Sequence, residues 1–327
     1  MHKIILFGAF ALAVALQACQ PASTAQETEE STGVDPNLVV LEDALHFYVI
    51  GDWGRSGEYM QKELADKMNE VAATLEPEFI ISTGDNFYPN GVASTQDPLW
   101  ERSFEDVYDG HLLQVPWHVI LGNHDIRGNA QAQIDYSDIS RRWTMPSRYF
   151  AWEWYNDDDD SRTQFVFLDT NPFEHDYFEK EKYAAQVMVL DTTAQLHWMD
   201  SILAASDADW KIVVGHHPLY TGGKRAEEYN TQRQHLEGRM QQGGVQFYLA
   251  GHEHDLQHIK PEGVTHHIVS GAGSEVRPTG KLPETVFAEA VHGFVAFSIT
   301  KTQTMMQFIN YRGEVIYSES FAPLGGE

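Results

Sequence analysis

Five times along the chain, a short apolar run ends in a glycine followed at once by residues able to bind a metal. The five motifs are Gly51-Asp52-Trp53-Gly54, Gly84-Asp85-Asn86-Phe87-Tyr88, Gly122-Asn123-His124-Asp125, Gly215-His216-His217-Pro218 and Gly251-His252-Glu253-His254. The runs before them, 46–50, 79–83, 117–121, 211–214 and 245–249, are rich in β-branched and aromatic residues and have the length of buried strands. In an open α/β sheet, ligands gather beyond the carboxyl ends of the strands, so motifs far apart in sequence can converge there. Glycine lets the backbone turn sharply at such a point and pack close to a ligand. Carboxylate, amide oxygen and imidazole are hard or borderline donors, and the five motifs carry enough of them for two ions.

Two ions held about 3.5–4 Å apart clamp a phosphoryl group and activate water between them, and they need a shared ligand. Asp85, a carboxylate with two oxygens in the second motif, is the natural bridge. The alternation His252-x-His254 puts both imidazoles on one side of an extended segment, so each can face a different ion.

Elsewhere the pattern is that of an α/β chain. Runs 164–168 and 266–270 read as further strands, and Met60, Leu64, Met68, Val71 and Leu75 share one helical face. Asp191 is placed to cap a second helix whose Leu196, Met199, Ile202 and Leu203 face inward. Residues 293–320 read as three successive strands without helices, an antiparallel ending. The acidic run 157–160 reads as a solvated hairpin turn rather than a cation site.

The ordered motifs resemble the calcineurin-like metallophosphoesterases and, within them, the purple acid phosphatases of the small mammalian tartrate-resistant type. The resemblance runs from His46 to Ser320 and includes Phe104-Glu105-Asp106-Val107, Val115-Pro116-Trp117, Ala132-Gln133-Ile134, Ile139-Ser140-Arg141-Arg142-Trp143 and Ser270-Gly271-Ala272-Gly273. It implies a four-layer αββα sandwich of two mixed β-sheets flanked by helices. It also implies a ferric ion on Asp52, Tyr88 and His254, bridged by Asp85 to a divalent ion (iron, zinc or manganese) on Asn123, His216 and His252. His216 is preferred to His217 because the family motif is Gly-His-x-Pro; His217 is then a neighbour of the ligands or merely exposed. His124 matches the family's non-ligand histidine near substrate, which binds phosphate and protonates the leaving alkoxide, with Asp125 or bound phosphate favouring its charged form. The implied reaction is attack of a ferric-bound hydroxide on a phosphate monoester. A phosphodiesterase or pyrophosphatase on the same two metals is the alternative, and a non-catalytic metal- or phosphate-binding lipoprotein is a further one. The family's histidines soon after two of these motifs are replaced by Ile126 and by the Lys224–Arg225 pair. Those two cations contact substrate phosphate or are solvated loop charges.

The chain carries 48 Asp and Glu against 22 Lys and Arg, a net charge of −26. So acidic a surface repels nucleic acid, whose binding needs cations that displace counterions; small phosphorylated molecules are the expected partners. Residues 1–18 read as a signal peptide too short to span a bilayer. Leu16-Gln17-Ala18-Cys19 resembles the bacterial lipobox, and Cys19 is the only cysteine. The expected organisation is a signal peptide (1–18), an acidic flexible tether (19–40) and one catalytic domain (41–327). The expected location is outside the cytoplasm, periplasmic or cell-surface, with the membrane reached only through lipid on Cys19. Cys19→Ala is expected to move the protein from the membrane fraction to the soluble one; unchanged membrane recovery contradicts the anchor.

Overall fold

In the computed structural model, residues 35–225 and 230–325 are described; the expected signal peptide, Cys19 and the first part of the tether lie outside them. Among the described residues no helix is long and apolar enough to cross a membrane. The chain runs β1 (Leu45–Ile50), α1 (Gln61–Leu75), β2 (Phe79–Ser82), β3 (Trp117–Val119), α2 (Ala130–Asp135), β4 (Trp143–Thr144) and β5 (Phe150–Asn156). It continues with β6 (Ser161–Phe167), α3 (Glu181–Val187), α4 (Thr192–Ala205), β7 (Trp210–Val214), α5 (Asn230–Gly243), β8 (Phe247–Ala250) and β9 (Leu256–Ile259). It ends with β10 (His266–Ser270), β11 (Thr285–Glu289), β12 (Gly293–Ile299), β13 (Thr304–Asn310) and β14 (Val315–Phe321).

These strands form two mixed sheets, ordered β14-β13-β12-β1-β2-β3-β4 and β11-β9-β10-β8-β7-β6-β5. Strands β1 to β4 are parallel in the first sheet, and β6, β7, β8 and β10 in the second. Alternation along each strand builds the layers, since successive side chains point to opposite faces. In β1, Leu45, Phe47 and Val49 enter the core between the sheets, whereas Tyr48 and Ile50 face the core shared with α1. In β6, Phe165 and Phe167 enter the same central core while Val166 faces α4 and α5. A strand buried on both faces reads as a continuous apolar run. Phe47 anchors the middle layer, stacked on Phe79 at 5.0 Å and Phe297 at 5.1 Å, with its ring edge-on to Phe165 at 5.5 Å. The architecture is the expected αββα sandwich.

Helix α4 starts where its cap was expected, with Asp191 Oδ1 accepting the Ala194 N–H at 2.9 Å. Leu196, Met199 and Leu203 are buried and Ile202 packs partly against them. Residues 157–160 form the turn between β5 and β6, and the tail forms three antiparallel strands. Residues just ahead of 41 already bond to the domain. The Val39 backbone exchanges two hydrogen bonds with the Gln307 amide, and Asp35 accepts the Val315 N–H.

Candidate metal centre

All five motif loops leave the carboxyl ends of parallel strands: β1, β2 and β3 in one sheet, β7 and β8 in the other. Close loop packing explains the glycines. Gly84 has φ +94, and a Cβ there would lie 2.7 Å from the Gly122 nitrogen and 2.8 Å from His216 Nδ1. Three donor residues themselves take left-handed backbone: Asp52 (φ 59), Asp85 (φ 53) and His252 (φ 68). For residues with a Cβ this costs about 1–2 kcal/mol each and persists only where surrounding contacts enforce it.

Those contacts aim the carboxylates. Asp52 Oδ2 accepts the His252 N–H at 2.7 Å and Asp85 Oδ1 accepts the His124 N–H at 2.7 Å. The Tyr88 hydroxyl lies 3.0 Å from Asp52 Oδ1, 3.0 Å from Asp85 Oδ2 and 3.2 Å from His254 Nε2. His216 donates from Nδ1 to the Thr83 carbonyl at 2.8 Å, and its Nε2 lies 3.4 Å from Asn123 Oδ1 and 3.5 Å from Asp85 Oδ1. His254 Nε2 lies 3.4 Å from Asp52 Oδ1, and its buried Nδ1 has no hydrogen-bond partner among the described residues. His216 Nε2 and His252 Nδ1 are 3.0 Å apart. Asp52, Asp85, Tyr88, Asn123, His216, His252 and His254 are all buried.

This arrangement crowds acceptor atoms together. The Tyr88 hydroxyl has one proton for two carboxylate oxygens, and His216 Nε2 faces the Asn123 and Asp85 oxygens and the His252 ring nitrogen at once. Buried lone pairs set against each other are costly unless a cation lies among them, so the donor set fits metal. Ligand atoms of Asp52, Asp85 and His216 lie within 4.8 Å of one another, as do those of His216, His217 and His252. His217 is fully buried rather than exposed, and both its ring nitrogens face hydroxyls, Thr170 Oγ1 at 2.8 Å and Tyr177 Oη at 3.0 Å. It therefore supports the centre from behind. Burial pushes the Asp85 carboxyl up, but the His216 and His124 imidazoles, the His124 N–H and His254 outweigh it and hold it below its ordinary value. Burial, then Asp52 and Asp85, push the Tyr88 phenol well above its usual range, with the Arg55 guanidinium opposing. A bound cation inverts that order.

Asp125 does not face His124. Its buried carboxylate accepts N–H groups from Gly122 at 2.7 Å, Asn86 at 3.0 Å and Phe87 at 3.2 Å, and the Gln133 side chain at 3.0 Å, tying two motif loops together. The acid beside the His124 ring is Asp85, 3.9 Å from Nε2. Burial holds His124 below its ordinary pKa, Asp85 opposing and Arg127 adding to the effect. His124 Nδ1 faces the Pro89 carbonyl at 2.6 Å, so Nε2 points to the centre.

Beside these residues opens a cavity of about 520 Å³ lined by Asn123, His124, Arg127, Tyr183, Arg225 and His252, among others. Arg225 is held by Glu253 Oε1 at 3.3 Å and the His252 carbonyl at 3.2 Å. Lys224 is exposed and does not line the cavity. Arg127, Tyr183 and Arg55 carried no signal in the motifs. Arg127 and Asn123 both donate to the Tyr183 hydroxyl, at 2.7 Å and 3.2 Å, and Arg55 lies 3.8 Å over the Tyr88 ring. Arg127 follows His124 closely enough to suspect, but Tyr183 lies on a distant helix.

Residues 45–256 match the family model for calcineurin-like phosphoesterases. Purple acid phosphatase 3 of Arabidopsis thaliana is 33% identical over 84% of this chain and 77% of its own length. The chain is a calcineurin-like phosphoesterase of the purple acid phosphatase family. Human tartrate-resistant acid phosphatase type 5 is 31% identical, over 84% of this chain and 90% of its own. Among solved structures, GAP50, described as the anchor in the inner membrane complex of Plasmodium, shares the fold with a TM-score of 0.76 and 24% identity, over 87% of this chain and 90% of that one. This purple acid phosphatase is a dimetal phosphoester hydrolase, and Asp52, Asp85, His216, His217 and His252 form groups able to hold metal. Partners that orient metal ligands are worth about 10–100-fold in affinity. Tyr183→Phe, which removes the hydroxyl holding the Asn123 amide, is therefore expected to weaken binding of one of the two ions about tenfold. Metal titration followed by calorimetry checks this; unchanged affinity for both ions contradicts it.

Proposed function

We propose that this phosphatase hydrolyses phosphate monoesters outside the cytoplasm, at a centre of Fe(III) and a divalent ion of iron, zinc or manganese. The observation that carries the proposal is the Tyr88 oxygen set among two buried carboxylates and an imidazole, the surroundings of a phenolate on a highly charged cation. Asp52, Tyr88 and His254 would hold the ferric ion and Asp85 would bridge. Asn123, His216 and His252 would hold the second ion, with the Thr83 carbonyl fixing the His216 tautomer. When bound, the two ions supply an activated water and neutralise charge on the phosphoryl oxygens.

The remaining work belongs to side chains. His124 presents Nε2 to the centre while the Pro89 carbonyl fixes its ring. From there it hydrogen-bonds a phosphoryl oxygen and delivers a proton to the departing alkoxide. Tyr88 packs against the same ring at 4.3 Å, which keeps it from swinging away. Arg225, braced by Glu253, is placed on the cavity wall to meet phosphate. The lipobox-like Cys19 supports a location on the outer side of a membrane.

The test joins phosphate release from p-nitrophenyl phosphate with metal analysis of the same samples. Asp85→Ala is expected to lose both ions and all measurable turnover; a metal-loaded, active variant contradicts the assignment. His124→Ala is expected to keep both ions and lose about 10²-fold in kcat or more, most with alkyl leaving groups. An unchanged rate removes His124 from the mechanism.

A further inference from the structure

One wall of the catalytic cavity is cationic, carrying Arg127, Lys180, Lys182 and Arg225. Tyr177, in the turn before α3, lines the same cavity. Its buried ring is held against that of Tyr183, the two centroids 4.1 Å apart. Its hydroxyl lies 3.0 Å from His217 Nε2 and has no second hydrogen-bond partner among the described residues. Behind it runs a chain of hydrogen bonds whose direction follows from a count. Thr170 Oγ1 faces three nitrogens: the backbone N–H groups of His216 and His217, each at 3.2 Å, and His217 Nδ1 at 2.8 Å. A hydroxyl oxygen offers two acceptor positions and one proton. The two backbone N–H groups can only donate, so they fill the acceptor positions and the Thr170 proton goes to His217 Nδ1. An imidazole that accepts at Nδ1 carries its proton on Nε2. That nitrogen then donates to the Tyr177 oxygen, and the Tyr177 proton turns away from His217. The Tyr248 hydroxyl fixes the start of the chain by donating to the His217 carbonyl at 2.7 Å.

From this chain we infer that Tyr177 is a further substrate-binding residue, whose hydroxyl donates a hydrogen bond to a phosphoryl oxygen of the bound ester. Thr170 and His217 are its positioning residues: they touch no substrate, and they set which way the Tyr177 proton points. The inference rests on the proposed phosphatase reading and adds a neutral donor to the cations and the His124 ring. A hydrogen bond to a charged oxygen is stronger than one between neutral groups, so one such donor is measurable on its own. Tyr177 and His124 do different work. His124 delivers a proton to the leaving group, whereas Tyr177 keeps its proton and holds the phosphoryl group before and during its transfer.

The experiment compares the holoenzyme with Tyr177→Phe, which keeps the ring and deletes the hydroxyl. A bond made equally to bound ester and transition state appears in KM, so KM for p-nitrophenyl phosphate is expected to rise about tenfold while kcat changes little. Calorimetric affinity for inorganic phosphate is expected to fall by a similar factor, which gives a readout without turnover. Fluoride, a monatomic anion that binds metal without reaching Tyr177, is the control; its affinity and the metal content are expected to match the wild type. Unchanged phosphate affinity overturns the inference. So does an equal loss for fluoride and phosphate, or a loss of metal, since either marks a disturbed metal centre rather than a missing donor. If the wild type hydrolyses no phosphate ester, the phosphatase reading fails, while the two anion affinities still decide whether Tyr177 is a donor.

Discussion

The active end of this molecule is organised by the crowding of buried acceptor atoms around one point. Asp52, Asp85, Tyr88, Asn123, His216 and His254 are buried and bring lone pairs within 3.0–3.5 Å of one another. Such a cluster is held against mutual repulsion in two ways. Cations relieve it when present, and a rigid surround enforces it at all times. The surround includes left-handed backbone at Asp52, Asp85 and His252, each locked by a backbone hydrogen bond or a carboxylate accepting a neighbouring N–H. Asp125, accepting from Asn86 and Phe87 in the second motif loop, Gly122 in its own and Gln133 beyond it, is the tie between the second and third motif loops.

The fold supplies the stiffness. Two seven-stranded sheets meet across a core of Phe47, Phe79, Phe165, Phe297 and their neighbours. Parallel strands from each sheet then deliver their loops to one edge. Donor residues from the loops after β1, β2 and β3 face those from the loops after β7 and β8, so neither sheet builds the site alone. A packed interior transmits small displacements rather than absorbing them, so Tyr183, remote in sequence from Asn123, fixes its amide through a 3.2 Å hydrogen bond.

Much of this was legible in the sequence because it is written in local patterns. Apolar runs marked the strands, and a glycine followed by a donor marked each loop. The Asp191 cap marked α4 and the run 157–160 marked a turn. What stayed hidden depends on tertiary contact. Helix α5 buries Leu236 and Met240 in an otherwise polar stretch, too few for a periodic signal. Asp125 looked like a partner for His124 because the two are adjacent, yet its carboxylate turns to three backbone N–H groups instead. The cationic wall of Arg127, Lys180, Lys182 and Arg225 is assembled from three separate segments, and no spacing rule joins them. Of the pair Lys224–Arg225, sequence could not say which side chain turns inward; Glu253 decides it by holding Arg225.

The visible absorption spectrum of air-exposed protein, with iron assayed on the same sample, bears most directly on the proposed centre. If the Tyr88 phenolate holds a ferric ion, iron-loaded protein shows a broad purple charge-transfer band that Tyr88→Phe abolishes. An iron-loaded but colourless wild type contradicts a ferric ion on Tyr88 and leaves the chain a dimetal phosphoesterase of another metal composition.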